Sequence, residues 1–591
     1  MIRHAENKMK VSALIAFMIL LGLGSVAQVP QSSNQKVDSL NKSDTLKVVQ
    51  ILGANRYGFK KIDSLTELLL LVGNVALKQE TTTFYADSAV YNRRSKIVEA
   101  FDNVHINDND SVHTYSDYLL YHTDTKLANL RDNVRLTDGK SNLYTNQLEY
   151  DVNNKIGIYL DGGRVVNGTS VLTSREATYY ADNKDVLFRG DVHLQDPKYK
   201  LESDSLLYNT TSEVATFISK TYIEDSAKRT ILTNQGYYDL KNKVATFGDR
   251  PVIHDGATVI IANQIDTDDS TGISVLTGDA IFRDTAQGVS VLANSIVSNR
   301  NTGTMVATQK PLMIIKQEND STFIAADTLF SGRLTDLPVE ADSMVTVAPV
   351  NDSAQVAVAD SSVNDSAKLA FADSSEHDST KLAIAVSSDT SRLATDSLNQ
   401  NDSTNRYFQA YYNVRIFSDS LQAVCDSLFY SGKDSIFRLF RDPIVWSGRS
   451  QVTGDTIFMY TKNKQPDKLY VFENGLMVNE TGPDMYNQVK GNRIYGYFNN
   501  GEIDYIRSKG SAESIYYAKD ENDKLVGINK ASSDVIDMRF KNKELNRVVF
   551  ISAVTGKMLP FRQATEQDRR LRSFKWREER RPKSKFELID N

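Results

Sequence analysis

A repeat of about thirty residues constrains this 591-residue chain more than any other feature of its sequence. The segment Glu213–Phe217 (EVATF) recurs thirty positions later as Lys243–Phe247 (KVATF). Two looser motifs follow the same period. One is Asp/Asn/Gly-Asn-Val with an apolar residue two positions on, as at Val104 and Val134, and the other is Asp-x-Leu-x-Tyr, as at Asp204–Tyr208. A period in this range is typical of stacked repeat architectures.

Each repeat unit has the residue pattern of β-strands. In the second motif the marked residues, such as Leu206 and Tyr208, are two positions apart and therefore lie on one face of a strand. A polar turn follows, then a short apolar run, a kink at Asn or Gly, and a second strand with alternating apolar residues. No segment of the array sustains helical spacing of apolar residues. We therefore predict an all-β array of stacked hairpins or rungs.

Changes in composition along the chain mark the segments that lie outside the repeat array. A charged start, the apolar run Val11–Gly24 and small residues before Gln28 predict an export signal, with a retained anchor as the alternative. A stretch built from Asp, Ser, Ala, Thr and Val interrupts the array and predicts disorder. The six predicted segments are a signal peptide (1–27), an N-terminal leader (28–60), a first β-repeat domain (61–335), a disordered linker (336–404), a second β-repeat domain (405–560) and a basic C-terminal tail (561–591).

Several classes of function are disfavoured by composition and motif. The formal net charge of −6 argues against nucleic acid as a partner. Cys425 is the single cysteine, so neither an intramolecular disulfide nor a cysteine-based zinc site can form. An Asp that recurs in every unit is a poor catalytic candidate, and we interpret the repeated Asp and Asn side chains as bonding to nearby backbone at strand ends. We expect no enzymatic activity, no cofactor and no metal site.

The export signal, the GNV-type strands, the Asp-Ser-Leu-x-Tyr strands and the thirty-residue period together resemble the OstA-like (LptA-type) family of periplasmic lipopolysaccharide-transport proteins. The Ser/Asp/Ala-rich insertion and the basic tail are similar to the long members of Bacteroidota-type envelopes. The resemblance covers 61–335 well and 405–560 more loosely. It implies a β-taco or β-jellyroll of two facing antiparallel sheets, in two blocks, open along one side. It also implies stacking end to end through edge strands, with further copies or with other transport proteins of the envelope.

Two sets of residues are the candidate working parts. The first is predicted to line the interior, with its tyrosines at the edges, and consists of Val104, Leu119, Tyr121, Val134, Leu148, Tyr150, Val192, Leu206 and Tyr208. The second is predicted to contact a partner or anionic lipid head groups, and consists of Arg569, Arg570, Arg572, Lys575, Arg577, Arg580 and Arg581. Plain sheet core is the alternative role for the first set, and a solvated terminus is the alternative for the second.

The predicted function is periplasmic lipid binding. Through the family resemblance, the expected ligand is lipopolysaccharide, held by its lipid A acyl chains and carried or bridged between the inner and outer membranes during outer-membrane assembly. Two alternatives stay open. One is a structural or adhesive β-repeat protein of the envelope, and the other is a β-solenoid enzyme acting on glycans.

Overall fold

The computed structural model describes residues 48–63, 66–316, 321–337, 405–462, 465–499, 502–520, 522, 524–541 and 544–589. The predicted signal peptide, most of the leader and most of the linker lie outside the described residues. Residues 51–591 form one unit, and the description below concerns its described part. Among the described residues, no helix is long and apolar enough to span a membrane.

The strands that precede the predicted linker are short or of medium length. They are β1 (Gln50–Gly53), β2 (Arg56–Lys61), β3 (Glu67–Gln79), β4 (Thr82–Asn92), β5 (Ile97–Asp108), β6 (Val112–His122), β7 (Leu127–Thr137), β8 (Ser141–Asp151), β9 (Ile156–Tyr159), β10 (Gly163–Asn167), β11 (Ser170–Ser174), β12 (Glu176–Tyr180), β13 (Asp185–Gln195), β14 (Tyr199–Asn209), β15 (Val214–Phe217), β16 (Thr221–Asp225), β17 (Thr230–Thr233), β18 (Gln235–Asp239), β19 (Val244–Gly248), β20 (Val252–Asp255), β21 (Thr258–Ile261), β22 (Gln264–Asp268), β23 (Ile273–Asp284), β24 (Val289–Asn299), β25 (Thr304–Thr308), β26 (Leu312–Lys316), β27 (Ser321–Ala325) and β28 (Thr328–Arg333).

The strands that follow the linker include the longest of the protein. They are β29 (Arg406–Phe417), β30 (Gln422–Ser431), β31 (Ile436–Phe440), β32 (Ile444–Ser447), β33 (Ser450–Thr453), β34 (Thr456–Lys462), β35 (Gln465–Gly482), β36 (Met485–Asn499), β37 (Glu502–Lys519), β38 (Leu525–Lys541), β39 (Glu544–Ile551) and β40 (Thr555–Pro560). Two four-residue α-helices, α1 (Glu566–Arg569) and α2 (Phe586–Ile589), lie in the tail. Short 3-10 helices occupy Leu334–Asp336, Phe561–Gln563 and Glu578–Arg580.

Strands that carry the Asn-Val motif, such as β5 and β7, bend there, and each contributes to two sheets. Strand β5 pairs with β6 in two stretches, and the register shifts between Phe101 and Val104. At the bend, Asp102 and Asn103 have φ angles of 58° and 50°, a left-handed region that Asp and Asn enter more readily than most residues. We call sheet A the set of half-strands that includes Ile97–Phe101, and sheet B the set that includes Val104–Asp108.

The bends of neighbouring strands are joined by their side chains. Asn103 Nδ2 donates to Oδ2 of Asp87 at 2.8 Å, and Asn413 Nδ2 donates to Oδ2 of Asp327 at 2.9 Å. The expectation that these side chains bond to nearby backbone is therefore wrong at these positions. The bends lie side by side in the ladder, so the Asn of one bend lies within hydrogen-bonding distance of the Asp of the preceding bend.

The strand ladder continues directly from one side of the predicted linker to the other. Strand β28 pairs with β29 from Thr328↔Tyr411 to Arg333↔Arg406. Strand β27 pairs with the other half of β29, where Ile324 lies opposite Ile416. The two predicted blocks, separated in sequence by residues 338–404, are consequently neighbours in one antiparallel all-β array. The predicted fold class is confirmed.

The C-terminal tail adds a third layer on the outer face of sheet B. The buried Gln488 of β36 accepts a hydrogen bond from the Leu571 backbone N–H and donates one to the Arg569 carbonyl, both at 2.8 Å. Farther along, Gln451 of β33 donates to the Lys575 carbonyl at 2.8 Å. Leu571 is also part of a buried cluster with outward side chains of sheet B, among them Val478. We call residues 561–589 the strap.

Candidate functional site

The nine predicted interior residues all lie between the two sheets. Their relative exposures are 0% to 7%. The residues are Val104, Leu119, Tyr121, Val134, Leu148, Tyr150, Val192, Leu206 and Tyr208. Period-two alternation places them inside, because each strand turns every second side chain towards the opposite sheet. Whether they contact lipid stays a prediction.

The interior has one side that is not closed by bent strands. There, the half-strands of each sheet end in turns, and we call these two rows of turns lip A and lip B. One position beside lip A is tyrosine in six successive units: Tyr91, Tyr121, Tyr150, Tyr179, Tyr208 and Tyr238. Between the tyrosines, the same row of cross-strand partners holds smaller residues, namely Val98, Ala128, Gly157, Val186 and Ala215. This alternation gives each ring space along the row.

Four of these tyrosines, which we call the lip tyrosines, form hydrogen bonds across the opening. Each bonds to a residue on lip B that lies 41 or 42 positions earlier in the chain. The bonds join Tyr121 Oη to Gln79 Oε1 (2.5 Å), Tyr150 Oη to Asp108 Oδ2 (2.9 Å), Tyr179 Oη to Asp138 Oδ2 (3.5 Å) and Asn167 Nδ2 to Tyr208 Oη (3.1 Å). Burial, together with the nearby Asp108 carboxylate, raises the pKa of Tyr150, so its hydroxyl stays protonated and donates.

An ion pair continues the closure beyond the lip tyrosines. Arg229 on lip B lies 3.3 Å from a carboxylate oxygen of Asp269 on lip A. Tyr238 Oη donates to the other oxygen of Asp269 at 2.9 Å. Both pairing groups of the ion pair are mostly buried, where an opposite charge is screened less by solvent than at an open surface. The two lips are therefore held together from Gln79 to Asp269.

A cavity of about 710 Å³ lies between the sheets farther along the array. Its volume falls in the range of small-molecule and cofactor sites. The apolar part of its lining includes Phe282, Val289, Val291, Met305, Met313, Ile315, Phe408, Ile416, Leu421, Phe437 and Met459. Methionine side chains are flexible and polarisable, so they adapt to ligands of varying shape. The lining comes from both sides of the linker and could not be assembled by either block alone.

Two arginines lie at the lip A side of this cavity. Arg333 and Arg406 are direct partners across β28 and β29, and Arg406 lines the cavity. Arg406 Nη1 donates to the Gly303 carbonyl at 2.8 Å, and Arg333 Nη1 donates to the Asn301 carbonyl at 3.4 Å. Burial and the neighbouring Arg333 lower the pKa of Arg406. Like charges directly opposite each other destabilise a sheet, so this pair suits a site that attracts an anion.

The basic residues of the tail contact the protein itself at several points. Arg580 Nη1 lies 2.5 Å from an Asp442 carboxylate oxygen. Arg581 donates to the Gln422 side chain at 2.6 Å and to the Gly448 carbonyl at 3.0 Å. Further contacts involve Arg570 with Asp484 and Arg569 with the Phe561 ring. The remaining predicted residues, Arg572, Lys575 and Arg577, are exposed on the strap. A role in binding anionic lipid or a partner stays a prediction.

Other reactive groups do not gather into a site within the described part of the chain. Among the described residues, no group of three or more His, Cys, Asp or Glu side chains could hold a metal ion. Cys425 is buried, and burial raises its thiol pKa to about 12. This thiol therefore has the properties of a small core residue and not of a nucleophile.

These features define an all-β repeat protein with two facing sheets and a largely apolar interior. Residues 47–204 match the family model described as OstA-like protein, and the chain carries an OstA-like domain over this segment. No curated protein matches the chain.

Eighteen chains of solved structures match the protein. One is LptH, the LptA-homologous periplasmic component of the conserved lipopolysaccharide transport device from Pseudomonas aeruginosa. It is 13% identical, with a TM-score of 0.17, and the match covers 18% of this chain and 83% of LptH. At this level the likeness informs neither the fold nor the function of this chain.

Proposed function

We propose that this protein is a periplasmic carrier that shelters the acyl chains of lipopolysaccharide between its two sheets during outer-membrane assembly. The OstA-like domain supports the general class, lipopolysaccharide transport. The single observation that carries the proposal is the cavity of about 710 Å³ between the sheets, whose lining is more apolar than polar. Burying a methylene group of an acyl chain contributes about 0.8 kcal/mol, so an apolar cavity of this size can hold lipid without a dense set of polar contacts.

The charged lip of the cavity supports an anionic lipid as the ligand. Lipid A carries phosphate groups on its sugars, next to the acyl chains. Arg333 and Arg406 converge on the turn at Gly303, where they donate to the backbone carbonyls of Asn301 and Gly303. Each guanidinium has five N–H donors, so donors are left for a phosphate at this position. Asp284 lines the same cavity from lip B. Its negative charge would repel a phosphate on that side of the cavity.

Bridging between membranes is the finer part of the proposal. Among the described residues, β2 and β40 are edge strands at opposite ends of the array, paired with β3 and β38 respectively. On β2, Tyr57 is 80% exposed and Phe59 is 59% exposed. An edge strand with exposed aromatic residues is suited to pairing with another sheet. End-to-end association with another transport protein or a second copy would lengthen the array.

Lipid that co-purifies with the mature protein tests the proposal. Extraction and mass spectrometry of the wild-type protein should give lipopolysaccharide in a reproducible ratio to protein. Filling the cavity with Met313→Trp or Met305→Trp should lower that ratio several-fold. Val526→Trp, at a position 54% exposed on the surface, is the matched control and should leave it unchanged. Equal lipid in all four proteins, or none in the wild type, would contradict the proposal.

A further inference from the structure

The lip tyrosines divide the interior into a closed part and an open part. Over the first part, Tyr121, Tyr150, Tyr179 and Tyr208 bond to lip B. The cavity begins farther along, at residues such as Phe282. The two parts belong to the same pair of sheets, and their strands bend with the same kind of register shift, as in β5 and β23. The bends therefore do not explain why one part is closed and the other is open. The difference lies in the side chains along lip A.

The tyrosine row ends where the cavity begins. The row of cross-strand partners continues from Tyr238 through Ala245, Thr267, Ser274, Ser298, Met305, Ser331 and Phe408. In three successive units the tyrosine position is therefore Thr267, Ser298 and Ser331. The last of these, Ser331, and its row neighbours Met305 and Phe408 line the cavity. A serine or threonine hydroxyl extends less far from the backbone than a tyrosine hydroxyl, and the Ser331 hydroxyl donates to the Tyr407 carbonyl of its own sheet at 3.1 Å.

The partner row on lip B continues unchanged past this point. Its residues are spaced 29 or 30 positions apart, and they are Gln79, Asp108, Asp138, Asn167, Asp196, Asp225, Asp255 and Asp284. Each cross-lip pair lies one unit farther along both rows than the pair before it, beginning with Tyr121 and Gln79. Continued in this way, the pairing makes Asp284 the lip B counterpart of Ser331, and both line the cavity. Lip B thus keeps the acceptor where lip A has lost the tyrosine. Up to Asp284, the change therefore lies on lip A. One step farther along both rows, tyrosine returns on lip A at Tyr430, the lip B position is Ile315, and both residues line the cavity.

We propose that the lip tyrosines and the Arg229–Asp269 ion pair seal the interior from Gln79 to Asp269, and that the loss of tyrosine at Ser298 and Ser331 confines lipid entry to the cavity. This inference rests on the proposed function, since it locates the entry of the same ligand. The closed part serves as a rigid, packed scaffold. The interior residues predicted from the sequence, such as Leu148 and Leu206, belong to this closed part.

Site-specific photo-crosslinking in cells tests the division. A crosslinker at Met313, in the cavity, should trap lipid in the wild type, and one at Leu148, behind the lip tyrosines, should trap at least several-fold less. Replacing all four lip tyrosines by phenylalanine should raise the Leu148 adduct several-fold and leave the Met313 adduct unchanged. The double variant Ser298→Tyr, Ser331→Tyr should lower the Met313 adduct. Tyr115→Phe with Tyr144→Phe, on the outer face, is the matched control.

Each result has a distinct meaning. Equal adducts at Leu148 and Met313 in the wild type would overturn the division, as would an unlabelled Leu148 in a folded quadruple variant. Lipid adducts at neither position in any variant would contradict the proposed function itself. If the quadruple variant fails to accumulate, Tyr150→Phe can be tested with spin labels at Asp110 and Thr125, one on each lip. The distance between the labels should lengthen or broaden, and an unchanged distance would overturn the seal.

Discussion

Asn103 and Asp87 hold the bends of adjacent strands together, with the Asn103 amide donating to the Asp87 carboxylate at 2.8 Å. Asn103 also has a left-handed φ of 50°. The residue therefore does two things at once: it adopts a backbone conformation that most side chains avoid, and it links β5 to β4. The bend makes two sheets out of one run of strands, so the interior depends on this relationship.

Substitution at Asn103 should separate these two roles. Asn103→Ala loses the hydrogen bond and places a methyl side chain in the left-handed region, which should destabilise the bend by roughly 2 kcal/mol. Asn103→Gly loses only the bond, because glycine adopts this conformation freely, and should cost about half as much. Hydrogen–deuterium exchange of the β4 and β5 amides measures the effect. Equal exchange in the two variants would show that the backbone conformation contributes nothing.

The strap should depend on Gln488. Replacing this buried side chain by leucine leaves the Leu571 N–H without its partner and leaves the Arg569 carbonyl with only the longer bond from the Tyr517 hydroxyl, at 3.4 Å. A buried polar group that loses its partner costs about 1–3 kcal/mol, so the strap should detach more often. Trypsin cleavage after Arg569, Arg570 or Arg572 should become faster. Gln567→Leu, at an exposed strap position, is the control. An unchanged cleavage rate in Gln488→Leu would contradict the role of this glutamine.

The predicted linker should be dispensable for folding. The strands that flank it pair directly, with Arg333 opposite Arg406, so the chain leaves and re-enters the ladder at neighbouring points. Deleting residues 340–400 shortens a loop whose closure costs little, since this cost grows only slowly with length. The β-sheet circular dichroism and the melting temperature should be unchanged. A loss of folded signal would show that this segment contributes to the array.

Protonation of His105 should weaken sheet B below neutral pH. His105 lies between Tyr85, Tyr115 and His113, with Arg135 stacked on Tyr115. Burial, followed by the charges of His113 and Arg135, lowers the His105 pKa. The unfolded chain therefore binds the proton first as the pH falls. The stability contributed by the neutral form is present above the ordinary His pKa and is lost as the pH falls through the folded value.

The measurement is the melting temperature as a function of pH in the wild type and in His105→Gln. The wild type should lose more stability than His105→Gln as the pH falls from 7.5, before the carboxylates titrate. His254→Gln, at an exposed position on another strand of sheet B, should follow the wild type. Identical profiles for the wild type and His105→Gln would exclude this contribution.

The strand pattern was largely predictable from the sequence, because period-two alternation and polar turns follow from local chemistry. Val104 and Leu148 are buried between the sheets, Tyr121, Tyr150 and Tyr208 are buried beside lip A, and their role in binding lipid stays a prediction. The cross-lip bonds were not predictable, since Tyr150 and Asp108 are 42 positions apart and meet only when two units have stacked. A signal was nevertheless present: the motif loses its tyrosine at Thr267, Ser298 and Ser331.

The strap was also missed, because the abundance of arginine in the tail drew attention to its charge. Apolar residues lie between those arginines, and Leu571, Phe574 and Trp576 pack against sheet B. A second signal for the strap lay in the sequence of the strands that it covers. In β32 all four residues of Ile444–Ser447 are buried, which a strand with one wet face does not show. Strands apolar on both faces predict a further layer, and charge alone does not say which segment supplies it.

Photo-crosslinking at two adjacent residues of β29 tests the central claim most directly. Phe408 lines the cavity, and Gln409 points to the other face of sheet A. If the space between the sheets holds lipid, a crosslinker at Phe408 should trap lipopolysaccharide in cells and one at Gln409 should not. Adducts at Gln409 but not at Phe408, or at neither position in a protein that is exported and folded, would contradict the account.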